Sequence, residues 1–140
     1  MLYKDFLKNL TICPFCSDQN RIISENNTAY LTYALAPYHK HHLLVIPKRH
    51  LEIISEINSA ENQEIDSLVS TGLGILKKLN YNNISVLIRE GNDVSKSIPH
   101  LHFHIIPDIR LGDLDHYGQE RKVLSVNEVE ELVSELKKLL

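Results

Sequence analysis

Apolar residues recur at helical spacing in three parts of the chain. They predict a short helix over residues 2–10, a long one from Ser59 to about Leu79, and a final one over about residues 127–139, capped by its first residue. The long helix carries Gly72 and Gly74 in its middle, which favours a close packing contact there because glycine otherwise weakens a helix.

Strand-like runs lie between these helices. They cover residues 21–24, 28–36, 42–47, 84–90 and 99–107. Asn26 and Asn27 separate the first two runs and predict a hairpin turn. Because the strands outnumber the helices available for crossover connections, the pattern predicts an α+β fold with a mainly antiparallel sheet rather than a doubly wound one.

Composition narrows the class of protein. The 140 residues are the size of one domain, 43% are hydrophobic, and the net charge is −3. This balance argues against a basic nucleic-acid surface. No apolar run approaches the ~18 residues of a membrane span, and the N-terminus lacks the apolar core of a signal peptide. We therefore expect a cytoplasmic protein of one domain, residues 1–140, without membrane or nucleic-acid partners.

Three histidines alternate along the last predicted strand. Because side chains on a strand point to opposite faces in turn, His100, His102 and His104 are expected to share one face. A solvent-facing polar stripe, a metal site and a nucleotidyl-transfer site are the alternatives. Histidine suits the last, since neutral imidazole is a nucleophile near pH 7 and flanking imidazoles can donate hydrogen bonds to phosphate oxygens.

Three motifs resemble the histidine-triad (HIT) superfamily. The run His-Leu-His-Phe-His-Ile-Ile, starting at His100, is similar to its signature of histidines alternating with apolar residues. The run His42-Leu-Leu-Val-Ile-Pro-Lys-Arg-His50 resembles its second hallmark. The run Cys13-Pro-Phe-Cys16 resembles the cysteine pair of its zinc-containing members. The motifs lie within about residues 10–107.

The resemblance implies a fold, an activity and catalytic residues. It implies a five-stranded antiparallel sheet with two main helices, usually in a homodimer. His102 would attack the α-phosphorus of a nucleotide and form a nucleotidyl-histidine that water hydrolyses, while His104 would contact the phosphate and His42 would be the upstream active-site histidine. The substrates would be nucleoside phosphoramidates, dinucleoside polyphosphates or other adenylated groups, and no catalytic cofactor would be needed.

The cysteine pair raises the question of zinc. Structural zinc needs four ligands, and the family pattern adds His50 and His100 to Cys13 and Cys16. A thioredoxin-like redox pair is the competing interpretation, but that motif should follow a strand and open a helix. Two unrelated core cysteines are the other alternative. If His100 binds zinc, the metal also orients the segment that carries His102.

The chain departs from the family pattern in the loop before the triad. Arg89 and Lys96 stand where the family has a neutral asparagine and glutamine. With Ser97 they are candidate substrate contacts, and the added positive charge favours a polyphosphate ligand through Coulomb attraction. The alternative is that Arg89 or Lys96 points to solvent.

Other departures concern ribose and base recognition. Ala34 stands where the family often has an acidic residue that holds the ribose hydroxyls. His39 and His41 are additional histidines, which either meet phosphates at the pocket mouth or form a solvated pair. The candidates for the apolar walls of a base pocket are Phe15, Ile22 and Leu31.

Three functions remain to be compared. A HIT-type nucleotide hydrolase with His102 as its nucleophile is the leading hypothesis. A nucleotide-binding or sensing protein with little turnover is the second, supported by the altered phosphate loop. A zinc-dependent hydrolase that uses the triad as metal ligands is the third, and alternating ligands on a flat strand would hold a metal poorly.

Overall fold

The computed structural model describes residues 2–17, 21–91, 98–109 and 123–140. The helices in these ranges are α1 (Tyr3–Lys8), α2 (Pro14–Ser17), α3 (Ser59–Lys78) and α4 (Val126–Lys137), with a 3-10 turn at Ile54–Glu56. The strands are β1 (Ile22–Glu25), β2 (Ala29–Tyr33), β3 (Leu43–Pro47), β4 (Ile84–Ile88) and β5 (Phe103–Pro107).

The five strands form one antiparallel sheet in the order β1-β2-β3-β5-β4. This confirms the α+β fold with a five-stranded antiparallel sheet, and α3 and α4 are its two main helices. The central strand β3 is buried along its whole length, because different apolar clusters cover its two faces. Leu43 and Val45 pack towards α3, whereas Leu44 and Ile46 pack with Phe15 of α2.

Glycine allows α3 to approach the sheet closely at one of the two predicted positions. A Cβ atom on Gly72 would lie 2.7 Å from Cδ1 of Ile105 and 3.3 Å from Cδ1 of Leu31. A Cβ atom on Gly74 would meet nothing within 4 Å. Of these two glycines, only Gly72 therefore makes the expected packing contact.

Capping boxes begin both main helices. Asn58 caps α3 through its side chain and the N–H of Glu61, so the helix begins at Ser59 as predicted. The prediction that Asn127 caps the last helix is wrong, because Ser125 makes the reciprocal pair with Glu128. The capping box requires an acceptor three residues before the glutamate, and Ser125 meets that spacing.

The histidine-bearing strand is shorter than the alternation predicts. β5 begins at Phe103, so His100 and His102 precede it. The backbone before Phe103 forms hydrogen bonds outside the sheet. The N–H of His100 donates to the carbonyl of Ile98, and the N–H of Leu101 donates to the carbonyl of Leu51. The prediction that the three histidines share one face of one strand is therefore wrong: only His104 belongs to the strand.

The chain divides into two compact units, Met1–Arg110 and Leu111–Leu140. The first contains the sheet with α1, α2 and α3, and the second contains α4. The single-domain organisation stays a prediction. Within the described ranges, none of the helices combines the length and apolar character needed to cross a membrane.

Candidate active site and metal centre

A cavity of about 350 Å³ gathers the predicted catalytic side chains. His42 comes from the residue before β3, Arg89 follows β4, and His102 and His104 flank the start of β5. Its other lining residues are Tyr3, Phe15, Ala34, Leu35, Ala36, Pro37, Tyr38 and Leu44. Three imidazoles and one guanidinium therefore face an otherwise largely apolar cavity.

Hydrogen bonds fix the tautomers of His42 and His104. The backbone N–H of Tyr38 can only donate, so Nδ1 of His42 accepts at 3.1 Å and its proton lies on Nε2. That Nε2–H donates to Nδ1 of His104 at 2.9 Å. Neutral His104 therefore carries its own proton on Nε2 and can donate it to a phosphate oxygen.

His102 has the opposite tautomer from its two partners. Its Nδ1 lies 2.7 Å from the carbonyl oxygen of His100, which can only accept, so Nδ1 carries the proton. In the neutral ring the lone pair is then on Nε2. The ring packs edge-on against Phe15 at a centroid distance of 5.1 Å and against His104 at 4.7 Å. Backbone and ring contacts thus orient an imidazole with a nucleophilic Nε2.

Burial keeps two of these rings uncharged. It lowers the pKa of His42 to about 4, helped by the nearby His102 and His39. Burial likewise lowers the pKa of His104 to about 3, with further contributions from His102, His42 and Arg89. Both imidazoles are neutral at pH 7, as the tautomer assignment requires.

Arg89 supplies a positive charge to the cavity. Its guanidinium is close enough to His104 to help lower the pKa of that ring. Arg89 therefore lies at the cavity, and its role as a substrate contact stays a prediction. Lys96 and Ser97, the other two predicted contacts in this loop, lie outside the described residues.

A second cluster joins the four predicted metal ligands. The ligand atoms of Cys13, Cys16, His50 and His100 all lie within 4.8 Å of one another. Nδ1 of His100 is 3.4 Å from the sulfur of each cysteine, and Nδ1 of His50 is 3.3 Å from the sulfur of Cys16. The four side chains are close enough to hold one metal ion.

The cluster fits a tetrahedral metal in its distances and its tautomers. Zinc–sulfur and zinc–nitrogen bonds of about 2.3 and 2.0 Å at tetrahedral angles separate the two ligand atoms by roughly 3.5 Å. His100 donates its Nε2–H to the carbonyl of Pro47 at 2.7 Å, so Nδ1 presents its lone pair to the cysteines. Burial, then the hydrogen bond and charge of Cys13, raise the pKa of Cys16 to about 11 without a cation. A bound cation would reverse that shift.

An ion pair anchors the segment that carries His50. Arg49 donates two hydrogen bonds to the carboxylate of Glu61, at 2.7 and 3.2 Å. Glu61 is 3% exposed and is also the capping-box residue of α3. The Arg49 hydrogen bond is the main cause that lowers the pKa of Glu61. The ion pair thereby links Arg49, the residue before His50, to α3.

The two additional histidines lie beside the cavity rather than in its lining. Nδ1 of His41 is 2.6 Å from the hydroxyl of Tyr81, and His39 packs edge-on against the same ring at 5.4 Å. Both histidines are partly buried. Both histidines therefore contact Tyr81. Neither of the two predicted alternatives, a phosphate contact or a solvated pair, describes this arrangement.

The base-pocket candidates divide between the cavity and the core. Of the three candidates Phe15 lines the cavity, as does Ala34, the position relevant to ribose recognition. Leu31 belongs to the core cluster beneath α3, and Ile22 packs against the opposite cluster, so both predictions are wrong. Six lining residues were not predicted from the sequence: Tyr3, Leu35, Ala36, Pro37, Tyr38 and Leu44. The apolar run Ala34-Leu-Ala-Pro-Tyr38 between two strands was the signal that could have found four of them.

The sequence matches the HIT domain family over residues 17–110. It is 26% identical over 132 residues to an uncharacterised HIT-like protein of Methanocaldococcus jannaschii, covering 90% of this chain and 99% of that one. It is 27% identical over 139 residues to a bis(5'-adenosyl)-triphosphatase of Dictyostelium discoideum, covering 90% and 89%. In four further relatives the match covers only 18% to 53% of the relative's length.

The fold also resembles solved structures. A histidine triad nucleotide-binding protein from Candida albicans superposes with a TM-score of 0.72 at 22% identity, over 91% of this chain and 96% of that one. At this identity the likeness concerns the fold alone.

Proposed function

The chain belongs to the HIT family, and from this premise we propose that it is a nucleotide hydrolase that cleaves at an α-phosphate through His102. The observation that carries the proposal is the hydrogen bond from Nδ1 of His102 to the carbonyl of His100. It directs the lone pair of the neutral ring to Nε2, in a ring that lines the cavity.

The reaction has two displacement steps. The Nε2 lone pair of His102 forms a bond to the α-phosphorus while the bond from phosphorus to the bridging oxygen or nitrogen breaks, and the leaving group takes that electron pair. Water then attacks the phosphorus and loses a proton, and the nitrogen–phosphorus bond returns its electrons to Nε2. His104 donates its Nε2–H to a phosphate oxygen in both steps, held in that tautomer by His42.

We favour a dinucleoside polyphosphate over a nucleoside phosphoramidate as substrate. Arg89 adds a permanent positive charge beside the neutral imidazoles of His42 and His104, and a guanidinium binds phosphate oxygens with paired hydrogen bonds. The similarity to a bis(5'-adenosyl)-triphosphatase over most of both chains supports the same choice.

We propose that the second cluster binds structural zinc through Cys13, Cys16, His50 and His100. Two thiolates and two imidazoles are the ligand types that zinc prefers. The metal would cross-link α2, the segment after β3 and the segment before β5, without taking part in bond cleavage. The family resemblance also supports a homodimer, and we propose the cytoplasm as its location.

Trapping of the intermediate tests the proposed reaction. We expect diadenosine triphosphate labelled at an α-phosphate to leave acid-labile, base-stable label on the wild-type protein and none on His102→Ala. The matched control, His39→Ala, removes a histidine outside the cavity lining and should retain the label. Tight binding without label on the wild type would contradict the hydrolase and favour a nucleotide-sensing protein.

A further inference from the structure

Tyr38 places an exposed aromatic ring at the edge of the candidate active site. The residue lines the cavity, yet 62% of its surface is accessible to solvent. The cavity wall also contains Phe15, which is only 5% exposed, and Tyr3, which is partly buried. Tyr38 therefore lies where a ligand leaves the cavity for solvent.

The ring of Tyr38 is held in place by one member of the catalytic row, the three cavity histidines His42, His102 and His104. It stacks on His42 with a centroid distance of 5.7 Å and an angle of 24° between the planes. The backbone N–H of Tyr38 also donates to Nδ1 of that histidine. Because His42 covers one face of the ring, an incoming planar group can stack only on the opposite face.

The loop that carries Tyr38 is anchored on both sides of the ring. The hydroxyl of Tyr33 donates to the carbonyl of Lys40. His41 bonds to the hydroxyl of Tyr81 at 2.6 Å, and the N–H of His42 donates to the carbonyl of His39 at 3.0 Å. A ring held this way loses little conformational entropy when it stacks on a ligand.

The size of the cavity limits how much of a substrate it can enclose. Its volume of about 350 Å³ is close to the lower end of small-molecule sites, which begin at about 300 Å³. It can enclose one nucleotide, with the base against apolar residues such as Phe15 and Leu35. The second nucleoside of a dinucleoside polyphosphate must then remain at the mouth.

We propose that Tyr38 is the stacking site for the second nucleobase of a dinucleoside polyphosphate. The inference rests on the proposed function, since it names the part of the substrate that lies beyond the cleaved bond. Arg89 lines the same cavity and can neutralise the intervening phosphates. Every nucleobase has a π-face, so this site selects for the presence of a second base and tolerates its identity.

Binding measurements separate stacking from turnover. The probes are the bismethylene analogues of diadenosine triphosphate and of ATP, which differ in the second nucleoside and contain no cleavable P–O–P bridge. Tyr38→Ala should weaken binding of the dinucleoside about 5- to 10-fold, the low end of what a stacked base loses on alanine substitution, because only one ring face is available. Binding of the ATP analogue should change less than about twofold.

The conservative variant serves as the control. Tyr38→Phe keeps the ring and should bind both analogues like wild type. Equal weakening of both analogues in Tyr38→Ala would overturn the proposal, because the ring would then act through His42. Unchanged binding of the dinucleoside would overturn it as well. Since no turnover is measured, a wild-type protein that fails to hydrolyse diadenosine triphosphate would refute the proposed function without deciding this test.

Discussion

His100 and His102 are two residues apart and present opposite ring nitrogens to different sites. His100 donates Nε2–H to Pro47 and turns Nδ1 to the cysteines. His102 donates Nδ1–H to His100 and keeps its lone pair on Nε2. In each case a backbone carbonyl selects the tautomer. The comparison teaches that the backbone around an imidazole, and not the residue type, decides whether it acts as a ligand or as a nucleophile.

The surroundings of the two sites differ as much as the tautomers. The metal cluster is a closed set of four ligand atoms within 4.8 Å, and two of them are thiols. The catalytic row opens onto a cavity and has Arg89 as its cation. The two sites meet at the His100 residue, whose ring belongs to the cluster and whose carbonyl orients His102, and at Phe15, which packs against the rings of both histidines. The separate roles of the two sites can be tested by substituting a residue of one site and measuring a property of the other.

The largest expected effect is on catalysis. His102→Ala should lower kcat/KM for diadenosine triphosphate by at least about 1,000-fold, because a covalent nucleophile has no substitute in the cavity. Metal content and the unfolding temperature should stay close to wild type, since His102 contributes no metal ligand. A His102→Ala protein that keeps more than a tenth of wild-type activity, or that loses its metal, would contradict the separate roles of the two sites.

Removal of one metal ligand should affect stability first. Cys13→Ser should abolish stoichiometric zinc and lower the free energy of unfolding by more than about 2 kcal/mol, because zinc bound only to the folded state stabilises it. Metal analysis and urea denaturation measure the two effects. Ser17→Ala, next to the cysteine pair but outside the ligand set, is the matched control. Wild-type stability in metal-free Cys13→Ser would contradict a structural role for the cluster.

The smallest expected effect is the share of a single buried ring in the pH dependence of stability. The folded pKa values of His42 and His104, about 4 and 3, are below the ordinary value of 6.5, so the unfolded chain binds more protons between these limits. Stability should therefore be complete above pH 6.5 and fall as the pH drops, by up to about 1.4 kcal/mol per pH unit for each ring.

Urea titrations at pH 7.5, 6.5 and 5.5 measure this slope. His42→Gln removes one of the three imidazoles whose pKa burial lowers, the others being His100 and His104, and should flatten the decline below pH 6.5. His39→Gln changes a ring outside the cavity lining and should leave the slope nearly as in wild type. If the unfolding free energy of His42→Gln fell with pH as steeply as that of wild type, other groups would cause the decline. The argument that burial keeps His42 uncharged would then fail.

Local patterns predicted the elements better than their ends. The 3.6-residue period identified α3, and strand-like runs bounded by turn residues or proline identified the strands, because both signals lie in consecutive residues. The start of β5 was missed because the backbone bond from Leu101 to Leu51 spans fifty residues. The cap of α4 was misplaced for a different reason: Ser125 and Asn127 are both good capping residues, and only the observed bonds to Glu128 distinguish them.

The sequence by itself determined which chemistry is present: an α+β chain with a triad of histidines, a cysteine pair and motifs similar to the HIT family. Only the tertiary structure decided how the histidines are divided. His100 joins cysteines more than eighty residues away, His104 joins His42 across the sheet, and His41 joins Tyr81 rather than a phosphate. Tyr38 gained its place at the cavity mouth in the same way. Such contacts depend on how distant segments pack, and neither periodicity nor residue spacing records that packing.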